Sequence, residues 1–175
     1  MPAVAPFPLP EDSLLDRYRR AGAYTDCYRA SLMRPVSLAE FVEAFYTGRL
    51  FTIERLILAV ILSKVSSDEQ AKQLANAETE HFSAWRVESR TDNQLLLCDV
   101  FGHTRSWLMC AGGSAGAAET HVYFGSAVIP RLDPDSGRPS FGLAFHLLGS
   151  FHRLYSRALL WQALSGLRSG EANPS

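Results

Sequence analysis

Very few features of this 175-residue chain point to a familiar chemistry, and each gap excludes something. Only three cysteines occur, Cys27, Cys98 and Cys110, with no CxxC pair. That excludes a disulfide framework, and their apolar, strand-like surroundings read as three buried thiols. Only two of the 17 basic residues are lysines, Lys64 and Lys72, and the net charge is −1. No global field therefore draws in nucleic acid or an anionic membrane. No G-x-S-x-G, P-loop or Rossmann glycine pattern is present, and Gly112, Gly113 and Gly116 precede a strand rather than a helix, so a phosphate cradle is not expected. The five histidines, His81, His103, His121, His146 and His152, lack metal-ligand spacing. The most apolar stretch, Leu50 to Leu62, contains Glu54 and Arg55 and falls short of the roughly 20 residues needed to cross a bilayer. Met1 to Pro10 carries four prolines and no positive charge, unlike a secretory leader, so a cytoplasmic location is the expectation.

What is present is a foldable chain: 47% hydrophobic and 20% charged, with no internal repeat. Residues 1–22 read as a Pro-rich N-terminal arm with a short polar helix near Leu14, Leu15 and Tyr18. A single domain spans 23–168, and 169–175 form a polar tail. Tyr24 to Leu32 reads as a strand ended by Arg34-Pro35. Ser37 and Glu40 form a capping box ahead of Leu38, Phe41, Val42 and Phe45 at helical spacing, with Gly48 as the stop. A second helix is expected over Thr52 to Lys64. A third opens on a Ser66/Glu69 capping box and runs to about Thr79.

Four strand-like runs follow: Phe82–Ser89, Gln94–Phe101, Thr104–Ala111 and Thr120–Ile129. Their short breaks imply antiparallel hairpins. After a loop over Pro130 to Pro139, Phe141 to about Leu167 reads as one helix roughly 40 Å long, against an expected domain radius of ~16 Å. The fold class is therefore α+β: an antiparallel sheet wrapped around a long C-terminal helix, a helix-grip, with short helices after the first strand.

Simple hairpin registers place Trp85, Val87, Leu96, Cys98, Val100, Arg105, Trp107, Met109, Val122, Phe124 and Val128 on one dry face. A mixed face holds Phe82, Arg86, Glu88, Leu95, Leu97, Asp99, Ser106, Leu108, His121 and Tyr123, with Asp99 solvated. One bulge would exchange part of this assignment. On the long helix, Ala144, Leu147, Leu148, Phe151, Leu154, Tyr155, Ala158, Leu159 and Trp161 form a dry stripe. His146, Ser150, His152, Arg153, Ser156 and Arg157 lie opposite.

The runs Asp26-Cys27-Tyr28-Arg29 into Pro35, Ser37-Leu38-Ala39-Glu40-Phe41, Asp99 to Leu108 and Phe151-His152-Arg153-Leu154 resemble bacterial proteins of the DUF2867 type. Those are placed with the START/polyketide-cyclase-like helix-grip superfamily (SRPBCC). The resemblance implies a cavity between sheet and helix that takes a lipid, sterol or polyketide, and it brings no catalytic residues.

The expectation is thus a domain binding a hydrophobic small molecule, without cofactor or metal. Its wall is expected to be Trp85, Leu96, Cys98, Arg105, Trp107, Phe124, Phe151 and Tyr155. Arg105 is either an anchor for a polar ligand head or an edge residue reaching water. A cyclase or isomerase in the same cavity is one alternative. Another is a homodimeric interaction protein with a filled core, pairing through Leu95, Leu97, Leu108 and Tyr123.

Overall fold

The computed structural model describes residues 4–48, 67–112, 119–132, 139–140 and 142–169; for 131–132, 139–140, 142–154 and 169 it describes backbone only. The expected helix over 52–64, the loop interiors 113–118 and 133–138, and the tail beyond Ser169 lie outside the described residues. So do the side chains of Ala144, His146, Leu147, Leu148, Ser150, Phe151, His152, Arg153 and Leu154.

The capping logic of the first domain helix holds. Ser37 Oγ accepts from the Glu40 N–H, and the Glu40 carboxylate accepts from the Ser37 N–H at 2.8 Å. With those donors satisfied, α2 runs Leu38–Tyr46 and buries Leu38, Phe41, Val42 and Phe45. It follows α1 (Asp16–Arg20) and the strands β1 (Ala5–Pro6) and β2 (Tyr24–Leu32). The next helix corrects the expectation by one residue. Its capping box is Ser67/Gln70, and α3 spans Asp68–Ala75, short of Thr79. This frame buries Ala71, Leu74 and Ala75. Arg90 closes its end by donating to the Leu74 carbonyl at 2.5 Å.

The run expected as one strand from Phe82 is two, β3 (His81–Phe82) and β4 (Trp85–Arg90), because Ser83 adopts a positive φ of 55° between them. Then come β5 (Gln94–Asp99), β6 (Thr104–Gly112) and β7 (Thr120–Val128). A small pair, β8 (Arg131–Leu132) and β9 (Pro139–Ser140), precedes the last helix, α4 (Gly142–Ser169). Among the described residues no helix is long and apolar enough to cross a membrane.

Among the described residues the sheet has seven antiparallel strands in the order β1-β2-β7-β6-β5-β4-β3. It is covered on both sides. One core joins Leu95, Leu97, Leu108, Val122 and Phe124 to Phe41, Phe45, Leu74, Leu159, Leu160 and Leu164. The other joins Leu96, Trp107, Met109, Tyr123 and Ala127 to Leu15, with Phe7, Leu9, Leu14 and Tyr18 of the N-terminal segment packed against it. Residues 4–22, expected as an arm, thus form a cover for a full face of the sheet.

Two registers account for the difference from the expected faces. In β4, Val87 pairs with Leu97 but Ser89 with Leu96, so Glu88 is an extra, bulged residue. Trp85 and Val87 therefore share the side of Leu97, not of Leu96. In β6–β7, Trp107 faces Gly125 and Leu108 faces Phe124. Val122, Phe124 and Val128 consequently leave the face of Trp107, since a one-residue slip moves every side chain across the sheet. Gly125 has a packing reason: a Cβ there would stand 3.0 Å from Trp107 Cε3 and 2.9 Å from the Asp26 carbonyl oxygen.

Three further expectations are corrected. Leu95, Leu97 and Leu108 are fully buried and Tyr123 nearly so, which removes them as a dimerisation patch. Among the described side chains of α4, the buried stripe is Ser156, Leu159, Leu160, Ala163, Leu164 and Leu167, leaving Trp161 exposed. Asp99 is not simply solvated; its Oδ1 accepts from the His103 N–H at 2.7 Å and the Thr104 N–H at 3.1 Å, folding the β5–β6 turn.

Candidate functional site

An opening lies on the helix side of the sheet. A cavity of about 210 Å³ is bounded below by Thr104 and Ser106 of β6 and by Phe124, Ser126 and Val128 of β7. Phe45 of α2, Trp85 of β4 and Tyr155, Ser156 and Leu159 of α4 also line it, with Arg105 and Ala127. Strand alternation explains the floor, because residues 104, 106, 124, 126 and 128 lie on the same face as the Leu108–Phe124 pair.

The floor hydroxyls are engaged. Ser106 Oγ lies 3.1 Å from the Tyr46 hydroxyl. Ser126 donates to Asp26 Oδ1 from its backbone N–H at 3.0 Å and from its hydroxyl at 2.6 Å. Two polar atoms of lining residues differ. Trp85 Nε1 and Ser156 Oγ have no hydrogen-bond partner among the described residues, and both are sealed off from water-sized space, so neither faces the cavity itself. A buried polar group left unpaired costs stability.

The expected wall residues divide between the two faces. Trp85, Phe124 and Tyr155 line the cavity. Leu96, Cys98 and Trp107 lie on the opposite face and do not. Leu96 and Trp107 are enclosed there with Leu15. The side chain of Phe151 lies outside the described residues. Arg105 contributes to the cavity rim, yet its guanidinium turns to the other face. Its Nε donates to the Tyr18 hydroxyl at 2.9 Å and lies 2.6 Å from Glu88 Oε2. Nη1 donates to the carbonyls of Gly102 and Thr104. Arg105 is therefore not an edge residue reaching water; its guanidinium ties the N-terminal cover to the sheet.

That cluster is held by mutual charge. Tyr18 and Arg17 also donate to the Glu88 carboxylate. Burial works to raise the Glu88 carboxyl, but the Tyr18 hydrogen bond and the Arg105 and Arg17 charges together hold it below its ordinary value. Burial, with the bond to Glu88, pushes the Tyr18 phenol up. Beside the cluster, Gln94 acts as a hub. Its Oε1 accepts from Trp107 Nε1 and from the Leu14 N–H, both at 2.9 Å, and its Nε2 donates to the Asp12 carbonyl.

Other nucleophile candidates fail on geometry or protonation. Ser31, His121 and Glu119 are the residue types of a hydrolase relay. However, Ser31 Oγ (2.8 Å) and Glu119 Oε1 (3.8 Å) approach the same atom, His121 Nδ1, so no proton can pass through the ring between them. The three cysteines are buried and unpaired, and burial pushes Cys27 and Cys110 up to about 12, which keeps both as neutral thiols. Among the described residues no group of three or more His, Cys, Asp or Glu is placed to hold a metal.

Sequence reasoning missed Phe45, Ser126 and Ser156 as wall residues. Ser156 left a signal: it sits three and four residues before Leu159 and Leu160, the i, i+3, i+4 spacing of a buried stripe. Comparison with protein-family models, with curated proteins and with solved structures finds no match.

Proposed function

We propose that this protein binds a small hydrophobic molecule in the cavity between its sheet and its C-terminal helix. The observation that carries the reading is the cavity itself. It is walled by Phe45, Trp85, Phe124, Tyr155 and Leu159 and placed where the last helix meets the sheet. Apolar enclosure with a few convergent polar groups is the usual make-up of a ligand site. In this reading the sheet grips the last helix as in the START/polyketide-cyclase-like proteins that the sequence motifs resemble. The sharing of one core by Leu108, Phe124, Leu159, Leu160 and Leu164 supports that arrangement.

A cyclase or isomerase acting in the same cavity is the second reading. Asp26 favours it, since its carboxylate is bound to the wall residue Ser126 and supplies an acid–base group beside the floor. Binding ranks first, because Ser126 engages the same carboxylate oxygen twice.

Native mass spectrometry of protein purified from cell lysate tests the proposal. The expected result is an adduct of a small apolar molecule that is lost on denaturation. Repeated absence of an adduct, with no change in Tm across a panel of hydrophobic small molecules, would contradict it.

A further inference from the structure

We propose that the end of the sheet bearing the β5–β6 turn docks on an anionic lipid surface. Val100 and Phe101 enter the headgroup region there, and the arginines of α1 meet the lipid phosphates. This goes beyond the cavity reading and does not depend on what the cavity holds.

The apolar tip comes first. Four large hydrophobic residues are exposed among the described residues: Met33, Val100, Phe101 and Trp161. Single exposed apolar residues are ordinary, and Met33 and Trp161 are of that kind. Val100 and Phe101 are neighbours, and they stand in a turn, where small and polar residues usually serve. That turn is stiff. Asp99 Oδ1 accepts from the His103 and Thr104 N–H groups, and the Asp99 carbonyl accepts from the Gly102 N–H at 3.0 Å. Gly102 supplies the positive φ of 75°. Beside it, the Val100 N–H donates to the Ala84 carbonyl at 2.9 Å. The backbone that carries both side chains is thus ordered before any partner arrives, which lowers the cost of docking.

Charge stands next to the tip. Arg105 Nη1 donates to the Gly102 carbonyl while its Nε donates to the Tyr18 hydroxyl, so α1 lies beside the turn. Four arginines, Arg17, Arg19, Arg20 and Arg105, share two carboxylates, Glu88 and Asp16, which leaves an excess of two positive charges. The excess faces outward. The side chains of Arg17, Arg19 and Arg20 are 54%, 47% and 68% exposed, whereas those of Glu88 and Asp16 are only 15% and 3% exposed. The chain as a whole carries −1, so this attraction is local rather than global. Apolar side chains that sink toward the acyl boundary, flanked by cations that reach phosphates, make an interfacial membrane contact. A protruding tip needs a matching pocket on a protein partner but none in a bilayer, which yields to it. Trp85, paired with Asp99, and Thr104, paired with Val128, bring the cavity lining to this same end of the sheet.

Flotation of the full chain with vesicles tests this, using phosphatidylcholine alone or mixed with about one-third phosphatidylglycerol. Wild type is expected to float with the anionic vesicles, less so in about 1 M salt, and to stay behind with the neutral ones. Phe101→Ser should weaken partitioning about tenfold and Arg20→Gln about fivefold. Both variants should keep a Tm close to that of wild type, because each side chain is largely exposed. Absence of flotation, or equal flotation with both vesicle types, overturns the proposal. So does flotation unmoved by either substitution. A Tm clearly lowered by Phe101→Ser shows the tip packed within the molecule and counts against it. Self-association in light scattering that Phe101→Ser abolishes assigns the tip to a second copy of the chain instead. Tighter binding to a single-stranded oligonucleotide than to anionic vesicles assigns the arginines to nucleic acid and also overturns it. None of these results bears on the cavity, whose filling is read separately by native mass spectrometry.

Discussion

The two faces of the sheet are built from the same strands but solve opposite problems. On the face under residues 4–22, Trp107 is fully buried and its indole N–H is bonded to Gln94; Arg105 and Glu88 neutralise each other, with Tyr18 bonded to both. On the face under the helices, Trp85 lines a cavity, and its buried indole N–H has no partner among the described residues. One tryptophan is enclosed and bonded; the other borders open space. A filled layer on one side supplies stability, and a hollow one on the other gives up some of it.

The sharpest way to break this contrast is to hollow the closed face. Trp107→Ala removes the largest fully buried side chain and its bond to Gln94. It should cost about 3–5 kcal/mol in urea unfolding, as large-to-small core changes do. The contrast predicts that Trp85→Ala costs much less, since part of that ring already faces a cavity. Equal losses for the two would erase the distinction.

A smaller effect comes from acid. The folded Glu88 carboxyl lies below its ordinary value of 4.5, so the folded state binds fewer protons there than the unfolded chain. Its contribution is complete above that value and is lost as pH falls through the lower, folded one. Wild type should therefore exceed Glu88→Gln in Tm at pH 7, and the gap should close as the pH drops below 4.5. A gap constant over that range would show that the Glu88 charge does not hold the cover in place.

How much of this was legible in the sequence follows from where the determinants lie. The helix after Ser37 and the strand before Arg34-Pro35 were legible because caps, periodicity and proline act within a few residues. The shared face of Leu96, Cys98, Arg105, Trp107 and Met109 was equally legible from alternation across a short hairpin. What covers that face was not. The bulge at Glu88 and the pairing of β6 with β7 across a long connection are set by packing between distant residues, among them Leu15, Trp107 and Gly125. One signal was present in the sequence. Leu95, Leu96, Leu97 and Cys98 are continuously apolar, and all four are fully buried, the mark of a strand covered on both faces. Set beside Phe7, Leu9, Leu14 and Leu15, that run identifies the N-terminal segment as the second cover. The candidate site was half legible. Trp85, Phe124 and Tyr155 were named, whereas Leu96, Cys98 and Trp107 came from a register that put two faces into one.

The most direct measurement follows the indole N–H resonances of Trp85 and Trp107 by two-dimensional NMR as a small hydrophobic molecule that raises the Tm is added. The account predicts that the Trp85 signal moves on saturation, because its ring borders the cavity. The Trp107 signal, bonded to Gln94 on the other side of the sheet, should stay in place. Movement of Trp107 with Trp85 unchanged, or no movement of either at saturation, would contradict it.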